Sequence, residues 1–124
     1  MSPFKFSDIA PSYDAAEVFY VRIDPEICLS EELLRSLCYS LWFPGYFGFN
    51  WNALYDCLTD LGWIPCHKIV LVHDALPNLP EKDLKVYLDV LRDSVSGWSG
   101  SVEHELEVFF RSMEKTKVEN ILNG

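Results

Sequence analysis

Few residues in this chain are spaced for chemistry. Cys57 follows Asp56, but a thiol nucleophile needs a histidine or another base, oriented by a third group. On a helix, sequence neighbours point to different faces, so Cys57 reads as a small packed residue. Cys66-His67 and His73-Asp74 carry metal-ligand types. Their spacing fits no standard zinc pattern, and they straddle an apolar run. No glycine-rich phosphate loop is present. Glu103, Glu105 and Glu107 alternate along one side of a strand, which suits a solvated or edge-protecting face. No catalytic residue, metal or cofactor is therefore expected, and the chain does not read as an enzyme.

What remains is Asp56 and its surroundings. Residues 36–67 contain no Lys and no Arg, yet they hold nine of the eighteen aromatics. A carboxylate offers two acceptor oxygens to a guanidinium fork, and burial strengthens that bond. Composition alone leaves two readings open. The rings cover a small sheet and one another, or they stand exposed beside the carboxylate as a binding surface.

The chain has 124 residues, 49% hydrophobic and 23% charged, a mix that suits one globular domain. Its net charge is −9, with a pI near 4.6. Phosphate backbones repel such a chain, so direct nucleic-acid binding is not expected and a basic partner is. No run of 18 apolar residues exists, so no membrane span is expected. Met1 to Asp14 has no apolar run, so no signal peptide is expected. Cys28, Cys38, Cys57 and Cys66 read as reduced thiols of a cytoplasmic protein.

The elements that would position Asp56 follow from periodicity. Residues 1–17 form a polar, loosely held extension. Val18–Ile23 is β-branched and aromatic, closed by Asp24-Pro25, and predicts a strand. Ser30 is a natural N-cap ahead of Glu31 and Glu32. Leu33, Leu34, Leu37 and Leu41 then make one helical stripe, stopped by Pro44-Gly45. A loop over 43–50 leads to a second helix capped by Asn50. Leu54, Leu58 and Leu61 face inward beside Trp51, and Gly62 ends the helix. Asn52, Tyr55, Asp56 and Thr59 fall on another face. Ile69–His73 is a continuous apolar run, as in a strand covered on both faces. A third helix runs from Glu81 to about Val95, followed by a turn over Gly97–Gly100. Val102 to Phe110 alternates as a strand, and 112–124 is a polar tail with a frayed helix. The order β-α-α-β-α-β implies an α/β fold with a small three-stranded parallel sheet packed by helices over 18–111.

One string adds a family likeness. Pro44-Gly-Tyr-Phe-Gly-Phe-Asn-Trp-Asn-Ala-Leu-Tyr-Asp-Cys-Leu-Thr59 resembles the barstar family, the intracellular inhibitors of barnase-type ribonucleases. The pattern Pro-x-Tyr-[Tyr/Phe]-Gly-x-Asn-x-[Asp/Asn]-Ala-Leu-[Trp/Tyr]-Asp-Cys-Leu-Thr runs through all 16 of these positions. A weaker likeness extends from about Val18 to Arg111. The resemblance implies inhibition by plugging, with the loop and second helix entering the nuclease active site. Asp56 would be the acidic anchor, lying where the substrate phosphate lies. Tyr46 would pack on a catalytic histidine, and Phe47, Gly48, Asn50, Asn52, Tyr55 and Thr59 would surround the anchor. Glu81 aligns with an acidic residue that reaches a basic one on the enzyme.

The departures are informative. Tyr55 stands where barstar has a tryptophan and Asn52 where it has an aspartate. Gly45 and Phe49 stand where it has glutamates. The resemblance therefore implies an immunity protein for a related basic ribonuclease or toxin rather than for barnase itself. Two other classes stay open: a regulatory module reusing the fold, and a small-molecule binder using the aromatic loop.

Overall fold

Five of the six residues from Lys68 to His73 are buried, because this strand is covered on both faces and flanked on both edges. The computed structural model describes residues 3–9 and 17–124. The strands are β1 (Lys5–Phe6), β2 (Val18–Ile23), β3 (Lys68–His73) and β4 (Glu105–Phe110). They form one sheet in the order β1-β4-β3-β2, and every pairing is parallel. Val21, Leu71 and Val108 share one register row across its centre. The helices are α1 (Ser30–Ser40), α2 (Trp51–Leu58), α3 (Glu81–Trp98) and α4 (Lys115–Asn123), with a 3-10 turn at Ser112–Glu114.

The sheet has four strands, not the expected three. The additional one comes from the polar lead: Lys5 pairs with Phe109 and Phe6 with Phe110. Alternation needs several residues to register, and β1 has two. Its anchor is Phe4, only 4% exposed, packed edge-on against Phe110 at 5.2 Å. Residues 1–2 and 10–16 of the expected extension lie outside the described residues. The expected frayed tail is also ordered in part, since α4 packs on α3 and buries Val118 and Ile121.

Other boundaries moved for identifiable reasons. Ser30 is the first helical residue, not the cap; Leu29 is the N-cap, and the Ser30 hydroxyl donates to Asp83 Oδ2 at 3.0 Å. α1 ends at Ser40, before Pro44-Gly45. Trp42 takes the left-handed position (φ 55°), and the Phe43 N–H bonds the Cys38 carbonyl at 2.9 Å, a Schellman closure without glycine. α2 ends at Leu58, and the left-handed residue after it is Leu61 (φ 51°), not Gly62. Such a conformation costs a non-glycine residue about 1–2 kcal/mol. Burying the Leu61 side chain completely offsets it by about 1.5–3 kcal/mol. α3 continues three residues past Val95 and takes in Gly97. β4 begins at Glu105, not Val102.

Glu107 departs furthest from its solvated reading. It is 6% exposed, with Lys5 Nζ at 2.8 Å and Lys68 Nζ at 3.3 Å. Burial would lower the Lys68 ammonium pKa, but the hydrogen bonds and charges of Glu107 and Glu105 reverse that and leave it raised. His73 is the other buried polar group. The Phe109 carbonyl can only accept, so His73 Nδ1 donates to it at 3.1 Å, and Nε2 accepts from the Tyr87 hydroxyl at 2.6 Å. Its ring stacks on Phe110 at 4.3 Å. Burial drives the His73 pKa down to about 4.

Two outcomes follow. Phe4→Ala should destabilise the protein by about 3 kcal/mol in urea unfolding, and an unchanged midpoint would show that the first strand is dispensable. His73 is neutral when folded but binds a proton when unfolded below its ordinary pKa of 6.5. Its contribution is therefore complete above pH 6.5 and drains away as pH falls towards about 4. Wild type should lose up to about 1.4 kcal/mol per pH unit more than His73→Gln across that window. Parallel curves for the two proteins would contradict this.

Candidate functional site

The residues singled out by spacing converge on the loop 43–50, α2 and the turn after it. Asn50 fixes the junction. Its Oδ1 accepts from the Ala53 N–H at 2.8 Å, capping α2, and its Nδ2 donates to the Gly48 carbonyl at 3.3 Å. A Cβ at Gly48 would lie 3.1 Å from that Nδ2, so the glycine makes room for the clasp. Leu54, Cys57 and Leu58 face the core. Asn52, Tyr55 and Asp56 are thereby turned to solvent.

The exposed set is aromatic and acidic. Tyr46 is 62% exposed and Tyr55 41%. Partial desolvation leads in raising the Tyr46 pKa, followed by the Cys57 thiol, the Asp60 and Asp56 carboxylates, and a hydrogen bond towards Asp60. Asp60 thus belongs with Tyr46 and Asp56, although the sequence did not single it out. Asp60 lies two residues past the end of α2, so the turn rather than helical spacing places it there. Asp60 Oδ1 also accepts from the Gly62 N–H at 3.2 Å.

Two of the predicted residues support the site from below. Phe47 is 6% exposed and holds the loop by its ring, 4.9 Å from both Phe43 and Phe49. The Thr59 hydroxyl donates to the Tyr55 carbonyl at 2.8 Å, so its hydrogen is committed to the helix end. α3 runs alongside α2 with Tyr87 near Trp51 and Trp98 near Leu58. Glu81 opens α3, roughly 9 Å of helix before Tyr87. It sits on the rim of a groove of about 610 Å³ lined by Leu84, Met113, Lys117 and Ile121.

The electrostatics here are unbalanced. α2 has no basic residue in its last turn. Two carboxylates therefore stand at the negative end of its dipole, where anions are disfavoured. None of the ion pairs among the described residues includes Asp56 or Asp60. Such a surface offers acceptors and ring faces to a cationic partner. The Cys57 thiol beneath it is held protonated: burial, then the charges of Asp60 and Asp56, then Cys38, push it up to about 11. Cys28, Cys38, Cys57 and Cys66 are all free. Among the described residues, no three His, Cys, Asp or Glu side chains cluster to hold a metal. His67, His73 and His104 instead each bond a backbone carbonyl through Nδ1. No helix among the described residues is long and apolar enough to cross a membrane.

Asp60→Asn keeps an acceptor for Gly62 and removes one of the two charges. The free protein should gain a few tenths of a kcal/mol at low salt, about 0.3–1. A loss in urea unfolding would show instead that the turn needs the carboxylate.

No curated protein matches the chain. A family model described as barstar (barnase inhibitor) matches residues 18–113, well over half of it, spanning β2, the loop, α2 and β4. The fold accords with that match: the chain belongs to the barstar family.

Proposed function

We propose that this chain is an immunity protein that binds and occludes the active site of a basic ribonuclease of barnase type, or of a related toxin nuclease. The observation that carries the reading is Asp56: an exposed carboxylate at the negative end of α2, in no ion pair among the described residues and beside exposed Tyr46 and Tyr55. A ribonuclease active site is built to hold a phosphate, and Asp56 would take that place between its cationic side chains. The partner's charge would relieve the strain that the helix end and Asp60 impose on Asp56. Tyr46 and Tyr55 would stack around the anchor, with Asn52 at the rim and Asn50, Gly48, Phe47 and Thr59 fixing their positions. Glu81 would meet the partner only where the interface extends to the start of α3.

Inhibition here is occlusion, with no chemistry on the nuclease. The net charge of −9 would speed encounter with a basic enzyme, and salt would slow it. The protein would act in the cytoplasm of its producer, a setting that suits four free cysteines.

The test is a titration of barnase-type ribonucleases with wild type and Asp56→Ala, read as RNA cleavage and as binding kinetics. Truncating one partner of a buried charge pair costs about 2–5 kcal/mol, mostly as faster dissociation, a range that barstar with barnase itself helped to set. Asp56→Ala should therefore dissociate at least about 30-fold faster, with association little changed. Equal affinity of mutant and wild type for an inhibited enzyme would sink the assignment of the anchor.

A further inference from the structure

Four rings form a ladder from the core to the surface beside this site. Trp63 meets Phe43 edge-on at 6.1 Å, Phe43 meets Phe47 at 4.9 Å, and Phe47 meets Phe49 at 4.9 Å. The root is fixed, since Trp63 Nε1 donates to the Leu41 carbonyl at 2.8 Å. Phe49 is the outer rung, 45% exposed. Its φ is 52°, a conformation that glycine or asparagine enters readily and phenylalanine does not. Over its ring lies the Arg35 guanidinium, 5.9 Å from the centroid, paired with Glu31 at 3.1 Å. No other Lys or Arg occurs between Arg35 and Lys68.

A ring held from beneath loses little freedom when a partner covers it, so its burial counts nearly in full towards affinity. A bulky apolar side chain kept exposed in a strained backbone breaks two local rules at once, which marks positions used for recognition. The chemistry it selects differs from that at the anchor. Asp56 calls for a cation. At Phe49 an incoming Lys or Arg would meet an apolar ring and the Arg35 charge, and would be left desolvated and unpaired.

Resting on the inhibitor reading, we propose that Phe49, capped by Arg35, determines which ribonucleases the protein blocks. The ring seats in an apolar hollow beside the catalytic groove, and the edge of that hollow supplies a carboxylate or a carbonyl to Arg35. Enzymes with a basic residue at that place are rejected.

The experiment compares wild type, Phe49→Asn, Phe49→Leu and Arg35→Glu against barnase-type ribonucleases that differ in charge at the rim of the active site. Binding kinetics, RNA cleavage and thermal unfolding are read together. From each enzyme that wild type inhibits, Phe49→Asn should dissociate about tenfold faster or more, with association within roughly threefold. Phe49→Leu, which keeps the apolar contact, should recover most of that loss. Arg35→Glu leaves the ring and loop in place and should shift the preference towards enzymes with basic rims, which carries the test should Phe49→Asn fail to fold. Equal dissociation of wild type and a folded Phe49→Asn, or an unchanged order of preference for Arg35→Glu, overturns the proposal while leaving the inhibitor reading standing. Failure of wild type to inhibit any enzyme overturns both.

Discussion

Neutral donors hold the aromatic segment 36–67 in place, and the remaining architecture is arranged around that constraint. With no cation between Arg35 and Lys68, the carbonyls left over at the ends of α1 and α2 cannot be met by Lys or Arg from within the segment. Indole N–H groups reach two of them: Trp63 bonds the Leu41 carbonyl at 2.8 Å and Trp98 the Leu58 carbonyl at 2.7 Å. At the other end of α2, an amide side chain does the capping. The helix is thus fixed at both ends without any positive charge being brought near Asp56. A lysine in place of either tryptophan would satisfy the same carbonyl and partly neutralise the acidic face.

The same logic explains why α3 is long. Its middle presents Tyr87 to Trp51 and to His73, and its last residue presents Trp98 to Leu58. One helix therefore references both ends of α2 to the centre of the sheet. The buried Tyr87–His73–Phe109 chain of hydrogen bonds adds direction to that packing, because a satisfied polar group in a core is costly to misplace.

Much of the fold was legible in the sequence, and what was not has local causes. The run Ile69–His73 announced a strand buried on both faces, and Asn50 announced a helix start, because both signals are short-range. The three left-handed residues were not legible. Trp42, Phe49 and Leu61 occupy positions where glycine or asparagine would be expected, and Gly45 and Gly62 nearby drew attention away from them. Glu107 was misread because alternation identifies a face and cannot say whether another strand will cover it. At the site, Asp56, Tyr46 and Tyr55 stood out by composition and pattern. Asp60 became visible only when the turn brought it beside Tyr46, and Phe47 proved a support because its ring is claimed by Phe43 and Phe49.

The brevity of β1 also bears on how this molecule keeps its own company. Among the described residues it pairs with β4 only at Phe109 and Phe110, a short part of that strand's outer side. Exposed edges of this kind invite a strand from a neighbouring molecule. Here Glu105, Glu107, Lys5 and Lys68 are gathered along it, and an incoming strand would have to strip water from four charges or break their pairing. The protein's own sheet is in this way guarded against polymerising edge to edge.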